Sequence, residues 1–553
     1  MNSIILNRYQ LWRGLATDAQ VSAQLAAMEN DEKAIEDAFY KELEFGTGGM
    51  RGEIGAGTNC FNIYTIARVT QGIADNMMAH GQKTAAVSHD SRILSDVFAA
   101  TAARVFAYNG IKAYLTRELA PTPFLSYMTR EMRADIGVMI TASHNPAQYN
   151  GYKVYGADGC QLTDARSNEM IAHIAKVDPF AVKTETLEHY LASGSIEYVS
   201  GALERRYLTE VKKQACGQAE GLCVVYTPLN GAGYRLVPKI LVEAGADLHI
   251  VPEQGMPDGR FLTCPFPNPE KAEALKLGLE LARGKDADLL IATDPDGDRM
   301  GLAVKTADGY RLMTGNETGA LLADYLLARR KENGTLPARP VIIKTIVSTE
   351  LAADVAKTYG AQVFDVLTGF KYIGEVIGRL EQKGEAERFV FGFEESYGCL
   401  AGGYVRDKDA VVASMLAAEM TAHYKKQGKT LADRIGELYA AFGTYTHRLR
   451  SFEFPGAAGF AEMKRLLAGL RLNLPREIGG VEVVKTVDYL AQTEFELPPA
   501  DVLLFDLSDG SRLIIRPSGT EPLIKMYLSA AQTPQENEKA FARLEEFLAE
   551  TFG

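Results

Sequence analysis

Short apolar runs separated by amphipathic stretches recur along this chain in the same order three times. The first set opens at Thr84 to Arg92, passes through an Ala-rich segment of helical spacing (Ala99 to Asn109), and continues with runs at Ile111 to Leu115 and Ala134 to Ile140. The second set places its runs at Leu222 to Pro228, Ala246 to Val251 and Ala287 to Ala292. The third has them at Val341 to Thr345, Ala361 to Val366 and Arg388 to Phe391, with a helical stretch at Leu351 to Thr358. In each set the helical segment closes at a glycine, Gly110, Gly245 or Gly360, as suits a helix C-terminus. Strand, helix, strand with short connections predicts βαβ units and mainly parallel pairing. The repeat is domain-sized, which excludes a solenoid.

The pattern changes after Gly443. Strands are expected at Thr446 to Phe454, Val481 to Val487, Val502 to Leu507 and from Leu513, with helices at Ala457 to Leu470 and Pro534 to Phe552. The predicted fold is three similar α/β domains with mixed, mainly parallel sheets, followed by a smaller C-terminal α+β domain. The expected boundaries are 1–200 (with an N-terminal helical arm through Glu44), 201–308, 309–443 and 444–553. A chain of 553 residues is long enough for several cores.

Composition narrows the classes of function. A net charge of -12 without a long basic run argues against nucleic acid as a partner, so an anionic ligand needs local Arg, Lys and backbone N–H groups. The six cysteines are scattered without a CxxC pair, which fits reduced thiols. The start of the chain lacks the pattern of a signal peptide, and no run is long enough to span a bilayer. A cytoplasmic protein without a membrane partner is expected.

Each third strand leads into an unusual loop, and in parallel sheets ligands sit beyond the strands' carboxyl ends. Asp294-Pro295-Asp296-Gly297-Asp298-Arg299 crowds three carboxylates into one turn, where mutual repulsion is usually relieved by a divalent cation. Arg299 and Lys305 stand where an EF-hand needs Gly and Glu, and no Cys or His lies nearby for zinc. Oxygen ligands with room for a phosphate oxygen suit magnesium. Thr141-Ala142-Ser143-His144-Asn145-Pro146 offers a serine without the Gly-x-Ser-x-Gly of a hydrolase, and His144 is expected to point away from it. As a phosphoryl carrier, Ser143 would face the cation, with Lys153 beyond an Asn150-Gly151 turn giving or accepting a proton. Gly392-Phe393-Glu394-Glu395-Ser396 presents acceptors for sugar hydroxyls. Arg516-Pro517-Ser518-Gly519-Thr520 offers a phosphate cradle.

Together these motifs, in this order, resemble the α-D-phosphohexomutases. Gly46-Thr47-Gly48-Gly49-Met50-Arg51-Gly52, the Asp90-Ser91-Arg92 turn and Val405-Arg406-Asp407-Lys408-Asp409 are similar to further segments of that family. The resemblance implies a phosphorylated Ser143 that binds magnesium together with Asp294, Asp296 and Asp298. Arg51, His144, Lys153 and Arg299 would support phosphoryl transfer, and Lys408 would lie in the cleft. Glu394 and Ser396 would hold sugar hydroxyls, and Arg516, Ser518, Gly519 and Thr520 the distal phosphate.

Thr368 and Gly369 fall in a loop, Leu367 to Ile373, that resembles the sugar-orientation loop of a longer-chain branch of the family. The implied activity is that of a phosphoglucomutase, moving phosphate between positions 1 and 6 of glucose through glucose 1,6-bisphosphate. Mannose and pentose phosphates are the alternatives. A metal-dependent sugar phosphatase is a more distant one.

Overall fold

The computed structural model describes residues 2–46, 48–491, 497–518 and 523–553, leaving aside the side chains of 164, 165 and 457. The first sheet contains β1 (Gly49–Glu53), β2 (Thr84–His89), β3 (Lys112–Leu115), β4 (Ile136–Ile140), β5 (Tyr149–Gly156) and β6 (Ile196–Tyr198), in the order β1-β5-β4-β2-β3-β6. The second contains β7 (Cys223–Thr227), β8 (Asp247–Ile250), β9 (Leu289–Thr293), β10 (Met300–Thr306) and β11 (Gly309–Met313), in the order β11-β10-β9-β7-β8. The third orders β12 (Val341–Thr345), β13 (Gln362–Val366), β14 (Phe389–Phe393) and β15 (Cys399–Ala401) as β13-β12-β14-β15.

One plan underlies all three. β2, β7 and β12 each lie between two parallel neighbours, as the βαβ pattern requires. The expected glycines end the helices in left-handed conformation, with φ of 75° at Gly110, 94° at Gly245 and 68° at Gly360. In every case the N–H after the glycine reaches back to the helix: Ile111 to Phe106 O, Ala246 to Leu241 O and Ala361 to Ala356 O, at 3.0–3.1 Å. The next strand then folds back antiparallel, β5 on β4, β10 on β9 and β15 on β14. Each special loop is therefore the hairpin at the carboxyl end of a buried strand. Each also turns through a left-handed residue: Ser143 (φ 52°), Gly297 (65°) and Tyr397 (68°).

Asn150-Gly151, expected as a turn, instead lies inside β5. Glycine is required there because a Cβ would fall 2.4 Å from Thr141 O, so residue 151 serves the close approach of the serine loop. β6 was also unexpected; it adds residues 196–198 to the first sheet beside β3.

The C-terminal sheet is antiparallel and runs β16 (Thr446–Glu453), β21, β20, β19, β18, β17. Here β17 is Glu477–Ile478, β18 Val481–Asp488, β19 Leu503–Leu507, β20 Arg512–Pro517 and β21 Leu523–Ala530. β21 was not anticipated, although its alternate positions are buried. Val487, Tyr489, Val502, Leu504 and Ile514 of this domain pack on Ile346, Val347 and Leu367 of the third unit. Glu350 bridges the same boundary, 2.9 Å from Lys344 Nζ and 2.6 Å from Arg512 Nη1.

The helical arm is held by Trp12, the only tryptophan, which packs edge-on against Phe39, Tyr64 and Phe180 with ring centroids 5.2–5.8 Å away. Trp12→Ala should cost about 3–5 kcal/mol of local stability. Limited proteolysis should then cut the arm first, with the melting temperature lowered.

Candidate active site

The serine loop leaves β4 at Ile140 and returns in β5. Ser143 N–H donates to Thr141 Oγ1 at 2.8 Å, and the left-handed turn exposes Oγ toward the second unit. Ser143 Oγ donates to Asp294 Oδ2 at 2.9 Å. Contrary to the sequence reading, His144 does not point away: its Nδ1 lies 3.2 Å from Ser143 Oγ. Positive φ at Ser143 reverses the backbone and brings successive side chains to one side. Arg51, on β1, donates to Asn145 Oδ1 at 2.8 Å and so joins the same loop.

Asp294, Asp296 and Asp298 are buried, with carboxylate oxygens converging within 4.8 Å. The turn is tied by Asp298 N–H and Arg299 N–H, which both donate to Asp294 Oδ1 at 3.1 and 3.0 Å. Lys153 Nζ sits 2.8 Å from Asp296 Oδ2 and 3.4 Å from Asp298 Oδ2, and Lys408 Nζ 3.1 Å from Asp298 Oδ2. Yet Asp296 Oδ1 and Asp298 Oδ1 are buried without a hydrogen-bond partner among the described residues. Unpaired carboxylate oxygens are costly in such a place, and a hard divalent cation beside Ser143 would satisfy them. The residues present fit a metal.

The third unit closes the cleft. Glu394 Oε1 accepts from Gly369 N–H at 3.0 Å, linking the loop at Thr368 and Gly369 to the one that follows β14. Tyr397 O accepts from Met300 N–H at 3.0 Å, stitching the third loop to the carboxylate turn. A cleft of about 1140 Å³ is lined by Arg51, His144, Arg299 and Lys408 on one side, and by Thr368, Gly369, Glu394 and Ser396 on another. Arg516, Lys525 and Tyr527 of the C-terminal domain complete it. Ser518 N–H donates to Leu523 O at 2.8 Å at the mouth of the β20–β21 hairpin. Gly519 and Thr520 lie outside the described residues.

Four family models match in succession. Those described as phosphoglucomutase/phosphomannomutase alpha/beta/alpha domains I, II and III match residues 42–180, 205–309 and 314–442, and the one for the C-terminal domain matches 466–547. The chain belongs to the phosphoglucomutase/phosphomannomutase family. Among relatives of the family, a phosphoglucomutase of Staphylococcus haemolyticus is 36% identical over 509 residues, covering 89% of this chain and 91% of that one. A phosphoglucomutase of Staphylococcus aureus is 34% identical over 540 residues, covering 94% and 95%. The fold matches the open form of the Paramecium phosphoglucomutase parafusin with a TM-score of 0.70 at 18% identity, over 92% of this chain and 95% of that one. A phosphoglucomutase/phosphomannomutase family protein of Burkholderia thailandensis has the same TM-score and identity, over 92% and 97%.

Electrostatics in this family member follow from burial. Burial, with the charges of Asp296 and Asp298, pushes Asp294 well above the carboxylate range. At Asp296 burial acts the same way but is outweighed by Lys153, the hydrogen bond with Asp294 and Lys408, so its pKa is lowered. Burial and then Arg299 and Arg51 lower His144 to about 2, leaving a neutral imidazole beside Ser143. Burial disfavours charge on Lys153, but Asp296 and Asp298 raise it on balance. Lys408 is raised well above its usual value as Asp298, Asp407 and Glu394 overcome burial. Both lysines are therefore cations.

Several contacts were not singled out from sequence. Thr122 Oγ1 donates to Asp296 Oδ2 at 2.9 Å, Arg299 Nη1 to Glu270 Oε1 at 2.9 Å, and Tyr155 OH to Asp407 Oδ2 at 2.8 Å. Asn145 and Asp407 stood within recognised segments. Thr122 and Glu270 carried no motif and acquire meaning only through packing between units.

Proposed function

We propose that this chain is a hexose-phosphate mutase of the phosphoglucomutase type, with Ser143 as its phosphoryl carrier. The observation that carries the reading is Ser143 Oγ, 2.9 Å from a buried Asp294 in a three-carboxylate cage, next to a cleft lined by the adjacent His144 and Arg299 and by Glu394, Ser396 and Arg516. A metal-dependent phosphatase could share the carboxylate loop and a phosphate cradle, but would have no need for a second phosphate site remote from the metal, the place Arg516 occupies in this cleft. The 36%-identical phosphoglucomutase relative supports the same reading.

Asp294, Asp296 and Asp298 would hold magnesium with the phosphoserine, and the ion would supply charge stabilisation for the transferring group. The Ser143 O–P bond breaks as a sugar hydroxyl attacks phosphorus, and the hydroxyl proton passes through the cleft groups to the departing Ser143 Oγ. The bisphosphate then turns over, and its other phosphoryl returns to Ser143 Oγ with a proton delivered to the departing sugar oxygen. Arg51, His144, Lys153, Arg299 and Lys408 surround these oxygens with charge and donors. Thr368, Gly369, Glu394 and Ser396 orient the sugar, while Arg516, Ser518, Gly519 and Thr520 hold whichever phosphate is not reacting.

A coupled assay on glucose 1-phosphate, with and without glucose 1,6-bisphosphate, tests the activity; bisphosphate-dependent glucose 6-phosphate is the expected product. Free phosphate in place of isomerised sugar would overturn the reading. Mannose 1-phosphate and ribose 1-phosphate run in parallel rank the sugars. Arg516→Ala should lower kcat/KM by about one to two decades, the worth of charge-assisted hydrogen bonds of roughly 1.5–3 kcal/mol. Slow hydrolysis of phosphorylated Ser143 should be nearly unchanged.

A further inference from the structure

We propose that Arg92, clasped between the serine loop and Phe261 of the second unit, is a positioning residue that fixes the backbone presenting Ser143. The inference rests on the reading of Ser143 as carrier and assigns what keeps that carrier in place.

The guanidinium is fully buried and cannot touch a substrate. It takes four carbonyls from the serine loop and the start of β5. Nη1 donates to Pro146 O and Tyr149 O, each at 2.9 Å, and Nη2 to Ser143 O at 2.5 Å and to Asn145 O. Ser143, Asn145 and Pro146 lie in the connection between β4 and β5, outside the regular strand ladder, and Tyr149 opens β5. Asp90 holds the other side: its Oδ1 accepts from Arg92 N–H at 2.9 Å and Ser95 Oγ at 2.8 Å, and its Oδ2 lies 3.4 Å from Arg92 Nε.

The second unit presses on the opposite face. The Phe261 ring centroid is 5.2 Å from the guanidinium carbon, and Gly259 bridges to Arg92 so closely that a Cβ there would fall 2.5 Å from Ile93 N. The clamp is thus built where the unit carrying the serine meets the unit carrying the carboxylate cage.

Only arginine supplies this grip. Its planar fork has separate nitrogens that can reach acceptors at both ends of a loop, whereas lysine offers a single point of charge. Ser143 sits in a left-handed conformation that a non-glycine residue adopts at a cost, so the loop must be held. In-line phosphoryl transfer tolerates little displacement of the carrier oxygen, and about 1 Å of misplacement is worth about 100-fold in rate.

The test compares Arg92→Lys and Phe261→Leu with wild type in the full-length protein. Melting is read first, then kcat and KM for glucose 1-phosphate, then single-turnover transfer from glucose 1,6-bisphosphate to Ser143 followed by mass. Arg92→Lys should remain folded, lose about 100-fold in kcat and in the single-turnover rate, and keep its KM. Phe261→Leu keeps the hydrogen bonds but removes the ring, and should show a smaller loss confined to kcat. A lower melting point with unchanged kcat in Arg92→Lys would make the residue merely structural and overturn the proposal. If Arg92→Lys does not fold, Phe261→Leu decides, and wild-type kcat there overturns it. If wild-type Ser143 accepts no phosphoryl from the bisphosphate, the carrier reading fails first and this inference falls with it.

Discussion

Ser143→Ala should leave a folded protein that converts no glucose 1-phosphate beyond a residue at least about 10⁴-fold below wild type. The mutation removes the one atom on which the proposed covalent intermediate forms, so nothing else in the cleft can substitute. It deletes a hydroxyl that donates to Asp294 and contacts His144, leaving the backbone free to keep the same turn. Intact mass and peptide mapping should find a phosphoryl group on Ser143 in part of the wild-type protein and none in the variant. A fully active alanine variant would sink the mechanism, because turnover would then proceed without the carrier.

The second large effect is expected at the carboxylate cage. Asp296 Oδ2 receives Lys153 at 2.8 Å and Thr122 at 2.9 Å, while Oδ1 has no hydrogen-bond partner among the described residues. Asp296→Asn keeps an oxygen for those donors but removes a charge from the proposed metal site. Activity should fall by about 10²–10³-fold and require more magnesium, since stabilisation of the transferring group depends on the ion. Stability in chelator should change little, because losing one of three mutually repelling carboxylates offsets the weakened pair with Lys153. Turnover of the wild type at full rate in excess chelator would count decisively against a metal role for Asp294, Asp296 and Asp298.

The helix closures show how far local sequence reached. A helix ending in Gly110, Gly245 or Gly360 announces itself through a residue that tolerates positive φ, and an adjacent apolar run announces the next buried strand. β21 carried the same kind of signal in its alternating burial but lay beyond a turn that drew attention to its own chemistry. The Asn150-Gly151 pair misled for a physical reason. Glycine there serves a close backbone contact inside a strand, and a dipeptide does not distinguish that use from a turn.

What the amino-acid sequence determined by itself was the repeated α/β unit, the unusual loop at the end of each third strand, and the family to which these motifs belong. Periodicity, capping and loop composition are properties of neighbouring residues, so they survive in a linear reading. Tertiary structure alone decided that Ser143 meets Asp294 across 151 positions and Lys153 meets Asp296 across 143. It also turned His144 toward Ser143, placed Thr122 on Asp296 and set Arg92 under the serine loop. Those contacts exist because sheets pack and units dock at fixed angles, and distances set by packing leave no local trace in the order of residues.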